Sequence, residues 1–259
     1  MYKNKKEKLH QIFEQYDKLS PDYPLIIFKD IIKFSKIKND NKILEIGSGT
    51  GKSTEGFIDL GYSNITSVEI EYALGLYLWN KFKKYDDFNI IISSFEEWDE
   101  EQEYYDLVFL ANSFYLVQLN FMYNKIYRWL KNNGTIALFC STELFENKNI
   151  DIKIMETYGR IAPKLINMDS FKIENYIKKI KKEILNIKLF NNIEINNYTW
   201  NKTYSSQEYI EYLNTFTSYN LLDVSIKEEL YDEIINIIEK YGGVIEKIYL
   251  GILLLARKT

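Results

Sequence analysis

The strongest constraint on the fold is an alternation of short apolar runs with longer amphipathic segments in the first half of the chain. Strands are predicted from the apolar runs at 42–46, 65–70, 89–92, 105–111 and 135–140. Helices are predicted between them at 53–60, 72–85 and 119–130. Strands that alternate with helices at this spacing are typical of a parallel sheet covered on both faces, so we expect an α/β fold.

The flanking regions are predicted to be mainly helical. Helical segments precede the array at 4–17 and 25–37, and residues 150–186 follow it, with a further strand at 193–199. The capping boxes Ser205-x-x-Glu208 and Ser225-x-x-Glu228 predict helices at 206–215 and 226–241, before a final strand at 244–257. We therefore expect one domain over 1–259, with an N-terminal helical lid segment at 1–37 and a mostly helical cap inserted at 142–222.

Composition excludes several classes of site and partner. One cysteine, Cys140, rules out an internal disulfide, and a single histidine, His10, argues against a metal site or a Ser-His-Asp triad. A formal charge of −4 argues against a nucleic-acid partner. The longest apolar run, 248–256, is too short to span a bilayer, and the charged N-terminus resembles no secretory signal. We expect no metal, no membrane association and a cytoplasmic location.

The stretch EIGSGTGKST, residues 45–54, nearly matches a nucleotide phosphate loop. That loop needs a glycine five positions before Gly51, where this chain has Ile46. The dinucleotide fingerprint fails as well, because its third glycine would fall at Lys52. What remains is a tighter turn, Glu45-x-Gly47-x-Gly49-x-Gly51, in which Lys52 and Ser53 are not expected to bind phosphate.

An acidic residue stands in the right place to complete this turn. Ligands of an open parallel sheet bind beyond the carboxyl ends of its strands, and Glu69 ends the second strand, eighteen residues after Gly51. A carboxylate there can accept hydrogen bonds from both hydroxyls of a ribose. A turn too small for phosphates, followed by a ribose-binding acid, fits a nucleoside ligand that has no phosphates, and S-adenosylmethionine is such a ligand.

With these features the chain resembles the class I S-adenosylmethionine-dependent methyltransferases. The resemblance is carried by ILEIGSGTG at 43–51, YDLV at 105–108 and the LKNNG turn at 130–134. It is most similar in pattern to the small-molecule branch that includes trans-aconitate methyltransferase-like proteins, through Tyr16-Asp17, Pro21-x-Tyr23-Pro24, FEEW at 95–98 and the tail at 242–258. The family has a Rossmann-like fold, a seven-stranded, mostly parallel sheet with an antiparallel last strand and a helical cap.

The resemblance also implies roles for individual residues. The glycines should lie along the methionine part of the cofactor, Glu69 should hold the ribose, and Ile70 should pack on the adenine. The complete set of implied cofactor-binding residues is Glu45, Gly47, Gly49, Gly51, Glu69, Ile70, Ser94, Phe95, Asn112 and Tyr16. The chain departs from the branch at Ser20, where arginine is frequent, at Ser94, where aspartate is frequent, and at Tyr115-Leu116, where His-Trp is frequent.

The expected activity is methyl transfer to a small-molecule acceptor in a capped pocket. Tyr115 and Tyr23 are the candidate catalytic residues, although Tyr115 serves equally well as a wall of the pocket. Two alternatives stay open: a nucleic-acid (RNA) methyltransferase, and a non-catalytic protein that only binds S-adenosylmethionine. The sequence discloses neither the acceptor, nor the methylated atom, nor the oligomeric state.

Overall fold

The computed structural model describes residues 2–114, 118–145, 148–166 and 169–259. Its described residues form a seven-stranded sheet in the order β3-β2-β1-β4-β5-β7-β6. The strands are β1 Ile43–Ile46, β2 Ile65–Glu69, β3 Asn89–Ile92, β4 Tyr105–Ala111, β5 Leu130–Leu144, β6 Phe190–Ser205 and β7 Val244–Lys258.

Helices precede β1 and lie in the connections between strands, except between β3 and β4, where the described chain has only turns. They are α1 Tyr2–Leu19, α2 Leu25–Ser35, α3 Lys52–Ile58, α4 Tyr72–Phe82, α5 Leu119–Trp129, α6 Asn149–Ile161, α7 Asp169–Ile187, α8 Ser206–Leu213, α9 Thr217–Asn220 and α10 Val224–Lys240. Among the described residues, no helix combines the length and apolar character needed to cross a bilayer.

Strand β1 lies at the centre of the parallel part of the sheet. Its Ile43 pairs in parallel with Ile65 of β2 on one side and with Leu107 of β4 on the other. The chain runs outward from β1 through β2 to β3, then returns to place β4 and β5 on the opposite side, and the last strand is antiparallel. The predicted Rossmann-like fold is therefore confirmed, with its topological switch point between β1 and β4.

Two local predictions differ from the structure. Strand β5 begins at Leu130, and the predicted Asn132-Asn133-Gly134 turn is an irregularity within it, where pairing with β4 shifts register. The capping box at Ser205 is confirmed, since both of its reciprocal hydrogen bonds form. The box at Ser225 was wrong: α10 begins earlier, after Asp223, so Ser225 lies inside the first turn and cannot cap it.

The chain divides into two compact units. The glycine-loop unit comprises residues 22–141, 174–198 and 251–259, and the tyrosine unit comprises residues 1–21, 142–173 and 199–250. The tyrosine unit has its own core, which contains Tyr158, Tyr204, Tyr209 and Tyr212 together with buried aliphatic residues of α6 and α10. The single domain with a lid at 1–37 and a cap at 142–222 stays a prediction.

Candidate cofactor and acceptor site

The glycine turn between β1 and α3 is held in a backbone conformation that favours glycine. Gly47, Gly49 and Gly51 have φ of +73°, +57° and +83°. A Cβ atom on Gly47 would lie 2.6 Å from Cβ of Ser113, and one on Gly51 would lie 2.5 Å from the ring of Phe82. A Cβ on Gly49 would meet nothing within 4 Å. The outer glycines are therefore packed against the protein, while the middle one faces open space where a ligand can approach the backbone.

Glu45 lies beneath this turn, inside the sheet. Its side chain is 1% exposed, and its carboxylate accepts hydrogen bonds from the hydroxyls of Ser53, Thr54 and Ser67. Burial raises the pKa of Glu45, although these hydrogen bonds oppose the shift. Glu45 thus ties β1 and β2 to the start of α3, and Ser53 is occupied as its donor. A direct contact of Glu45 with a cofactor stays a prediction.

Glu69 projects from the end of β2 towards the turn. Its Oε2 accepts a hydrogen bond of 2.9 Å from the N–H of Gly49, and its Oε1 accepts one of 3.0 Å from the N–H of Glu71. Each carboxylate oxygen has a second lone pair, so the group retains capacity for two ligand hydroxyls. The next residue, Ile70, is 70% exposed and offers an apolar surface beside the acid, as the packing of an adenine ring requires.

The loop after β3 carries the predicted adenine border. Ser94 caps this loop, because its hydroxyl accepts a hydrogen bond of 3.2 Å from the N–H of Glu97. Phe95 is only 6% exposed, and its ring packs edge-to-face against Trp129 with centroids 5.6 Å apart. The Phe95 ring therefore belongs to the core of the glycine-loop unit, and a contact of this residue with a cofactor would involve its backbone.

A buried lysine that the sequence analysis missed holds this loop in place. Lys125 of α5 donates hydrogen bonds of 2.7 and 2.9 Å to the carbonyl oxygens of Phe95 and Glu96. Its Nζ also lies within 5.4 Å of the ring centroids of Phe95, Phe121 and Trp129, and burial lowers its pKa. The available signal was its position: Lys125 stands four residues from both Phe121 and Trp129, on the apolar face of α5.

Polar side chains meet at the carboxyl end of β4, beside the part of β5 that extends past it. Asn112, with φ of +53°, follows β4, and its Oδ1 accepts a hydrogen bond of 2.8 Å from the N–H of Ser141. Its Nδ2 donates to the hydroxyls of Tyr23 at 2.9 Å and Ser141 at 3.0 Å. Because the Ser141 N–H fixes which side of the amide is oxygen, the NH₂ group must face the Tyr23 phenol. Ser141 is the second site residue that the sequence analysis missed.

The structure brings most of the predicted residues together, with two exceptions. Tyr23 lies in the Asn112 cluster, where its ring also packs edge-to-face on Phe139 with centroids 4.9 Å apart. Tyr16 belongs to the tyrosine unit, where its ring contacts Phe216 edge-to-face. Tyr115 lies outside the described residues.

These groups suit a nucleoside attached to an amino acid. The Glu69 carboxylate matches a ribose, the exposed Ile70 matches a base, and the open backbone at Gly49 admits an unbranched chain. The buried hydroxyl of Ser48, within the turn, has no hydrogen-bond partner among the described residues, which is consistent with a polar ligand at this position.

Comparison with known proteins agrees with this geometry. Residues 43–134 match a family model described as a methyltransferase domain. Over 224 residues the chain is 26% identical to an uncharacterised methyltransferase of Schizosaccharomyces pombe, an alignment covering 86% of this chain and 84% of that protein.

Two solved structures establish the fold independently. A phosphoethanolamine N-methyltransferase 2 of Haemonchus contortus, in complex with S-adenosylmethionine, gives a TM-score of 0.53 at 15% identity, covering 95% of this chain and 56% of that one. A geranyl diphosphate C-methyltransferase of Streptomyces coelicolor, in complex with S-adenosylhomocysteine, gives a TM-score of 0.51 at 11% identity. That match covers 89% of this chain and 74% of the other.

The sheet order and the glycine turn with Glu69 behind it give the Rossmann-like fold that these solved methyltransferases share. The protein is an S-adenosylmethionine-dependent methyltransferase, and its cofactor is S-adenosylmethionine.

Proposed function

We propose that the enzyme methylates a small-molecule acceptor that binds against the cluster formed by Tyr23, Asn112 and Ser141. The observation that carries this proposal is the fixed hydrogen-bond chain from the Ser141 N–H through the Asn112 amide to the Tyr23 phenol. Asn112 directly follows β4, and Ser141 lies in β5 just past Phe139, the residue that pairs with the last residue of β4. The cluster therefore lies at the carboxyl end of β4, on the edge of the sheet that carries the glycine turn. A phenol held in one orientation by an amide is suited to orienting a polar acceptor.

The bound cofactor supplies a methyl group activated by a sulfonium. The residues of this chain then have separable tasks: Glu69 and the glycine turn bind the nucleoside end, and the loop held by Lys125 borders the base. The hydrogen bond from Asn112 holds the Tyr23 phenol in one orientation, and we propose that this phenol aligns the group to be methylated. Alignment in a site that excludes water supplies much of the rate of such a displacement.

The named relatives support a small acceptor but not a particular one. One solved relative is a phosphoethanolamine N-methyltransferase and the other is a geranyl diphosphate C-methyltransferase. Since the same fold serves both, we leave the methylated atom open. The trans-aconitate methyltransferase-like branch is part of the proposal, on the motifs around Tyr23 and residues 95–98, as is a cytoplasmic location.

The first experiment identifies the acceptor class. The purified protein is incubated with S-adenosylmethionine labelled in its methyl group and with panels of small carboxylic acids, phenols and amines, and in parallel with RNA and DNA. We expect label in one of the small molecules. Label in nucleic acid alone would replace the proposal with the nucleic-acid alternative. Binding of S-adenosylhomocysteine without transfer to any member of the panels would favour the non-catalytic alternative.

The second experiment tests the role of Tyr23. Because Tyr23→Phe removes only the hydroxyl, turnover should fall about tenfold or more, the scale of one lost hydrogen bond in a transition state. Affinity for S-adenosylhomocysteine, measured by calorimetry, should stay within about twofold of the wild type, since the cofactor is held elsewhere. Tyr198→Phe is the matched control, because the Tyr198 hydroxyl donates to Asp30 within the same unit. Equal turnover of both variants would remove Tyr23 from the mechanism.

A further inference from the structure

Lys52 stands directly at the cofactor turn but has no assigned role in methyl transfer. It follows Gly51, and its Nζ lies 2.5 Å from Oδ1 of Asp22, in the segment that also carries Tyr23. The two partners differ sharply in exposure: the Lys52 side chain is 9% exposed, whereas that of Asp22 is 84% exposed. The cation is thus held against the protein, while its counter-ion lies at the surface. An ion pair with so exposed a partner contributes little, so the carboxylate of Asp22 is easily replaced.

The charges around the turn are unfavourable to an anionic ligand. Glu45 and Glu69 are both buried beside it, and the negative charge of Glu69 contributes to raising the pKa of Glu45. Among the described residues, Lys81 also contacts the turn: it donates to the carbonyl of Thr50 and pairs with Glu55 at 3.1 Å. A ligand that places a carboxylate at this turn therefore needs a nearby cation to offset two buried acids.

The cofactor has such a carboxylate at the end of its methionine portion. We propose that Lys52 binds the cofactor carboxylate, and that Asp22 is a resident counter-ion which the ligand displaces. This inference rests on the proposed use of the turn to hold the methionine portion. When the cofactor displaces Asp22 from Lys52, it also releases the segment that carries Tyr23 from this ion pair.

A pair of ligands separates this role from a general effect on the site. S-adenosylhomocysteine has the carboxylate, whereas 5′-methylthioadenosine has the same nucleoside and sulfur without the amino acid. In calorimetry, Lys52→Met should lower the affinity for S-adenosylhomocysteine about ten- to a hundredfold, the scale of a charge-assisted hydrogen bond. The affinity for 5′-methylthioadenosine should stay within about twofold of the wild type. Lys52→Arg keeps the charge and should retain most of the affinity.

The counter-ion gives an effect of the opposite sign. Asp22→Asn removes the competitor of the ligand, so affinity for S-adenosylhomocysteine should rise about two- to fivefold, while 5′-methylthioadenosine should be unaffected. The gain should disappear when Asp22→Asn is combined with Lys52→Met. Lys131→Met, which breaks the 2.8 Å pair of Lys131 with Asp106 in the same unit, is the control for loss of a lysine.

The outcomes distinguish this inference from the assignment on which it rests. Equal weakening of both ligands by Lys52→Met, or weakening of neither, would overturn the role of Lys52 while leaving the cofactor assignment intact. A wild-type protein that binds neither ligand would overturn both.

Discussion

The two units place the same kinds of side chain in opposite situations. In the tyrosine unit Lys247 is 6% exposed and pairs with Glu143 at 2.8 Å and with Asp151 at 3.1 Å. Burial alone would lower the pKa of Lys247, but the two carboxylates outweigh it and raise that pKa. In the glycine-loop unit Glu69 ends β2 and Asn112 directly follows β4. The charges around Lys247 neutralise one another, whereas the oxygens of Glu69 and Asn112 keep lone pairs that can accept further hydrogen bonds.

The tyrosines make the same contrast. The hydroxyls of Tyr158 and Tyr219 lie 2.7 Å apart, and those of Tyr204 and Tyr249 lie 3.3 Å apart. Burial raises the pKa of Tyr158 well above its usual value and that of Tyr219 to about 12, so these phenols stay neutral at physiological pH. Tyr158 belongs to the core of the tyrosine unit, and Tyr219 packs against that core. Polar residues therefore indicate a ligand site only where their partners are incomplete.

The largest expected effect is on stability and concerns the buried ion pairs of Lys247 in the tyrosine unit. Lys247→Met leaves two carboxylates without their cation, one of them buried, and removing one partner of a buried ion pair costs about 3–5 kcal/mol of unfolding free energy. Urea denaturation followed by circular dichroism measures it. The control is Lys148→Met, whose pair with Glu246 is exposed on both sides, and it should change stability by about 1 kcal/mol or less. Equal losses would show that burial does not distinguish the two pairs.

The next largest effect is on cofactor affinity and concerns Glu69 in the glycine-loop unit. Glu69→Ala should lower the affinity for S-adenosylhomocysteine about ten- to a hundredfold, because a charge-assisted hydrogen bond contributes about 1.5–3 kcal/mol. The fold should persist, since the two hydrogen bonds that Glu69 accepts come from backbone N–H groups in loops, those of Gly49 and Glu71. Calorimetry and a thermal melt together give both quantities, with the exposed Asp59→Ala as the control. Unchanged affinity would show that the ribose is held by another residue.

Gly49 and Gly51 of the glycine turn should differ in their effects on stability and on cofactor affinity. Alanine at Gly51 would collide with Phe82 and Leu78, whereas alanine at Gly49 meets open space, and both positions have positive φ. Gly51→Ala should therefore destabilise the fold by about 1–3 kcal/mol more than Gly49→Ala, the cost of overpacking. Gly49→Ala should instead lower cofactor affinity, because its methyl group fills the space beside the ligand. Urea denaturation and calorimetry of the two variants test this; the reverse ranking would contradict the packing described.

The smallest effect concerns helix capping in the tyrosine unit. Ser205→Ala removes a side chain that caps α8 and should cost about 1 kcal/mol of unfolding free energy. Ser225→Ala, at the motif whose capping role was wrong, should change it by about 0.5 kcal/mol or less. A larger loss at Ser225 would mean that the motif acts in a way that the helix boundary does not reveal.

The sequence predicts this site only as far as local patterns extend. The glycine turn and Glu69 are recognisable because spacing along two adjacent βα units determines them. Ser141 and Lys52 are not, because each works through a partner 29 or 30 residues away, and only the sheet topology brings the partners together. Phe95 shows the converse: its motif predicts a residue that borders the cofactor, but tertiary packing turns its ring into the core.

The central claim is that a glycine turn resembling a phosphate loop holds a nucleoside that has no phosphates. Calorimetry of the wild-type protein with S-adenosylhomocysteine, ATP and NAD tests it most directly. We predict binding of S-adenosylhomocysteine and of neither phosphorylated ligand, since Ile46 stands where a phosphate loop needs glycine. Tight binding of ATP with no heat from S-adenosylhomocysteine would contradict the account.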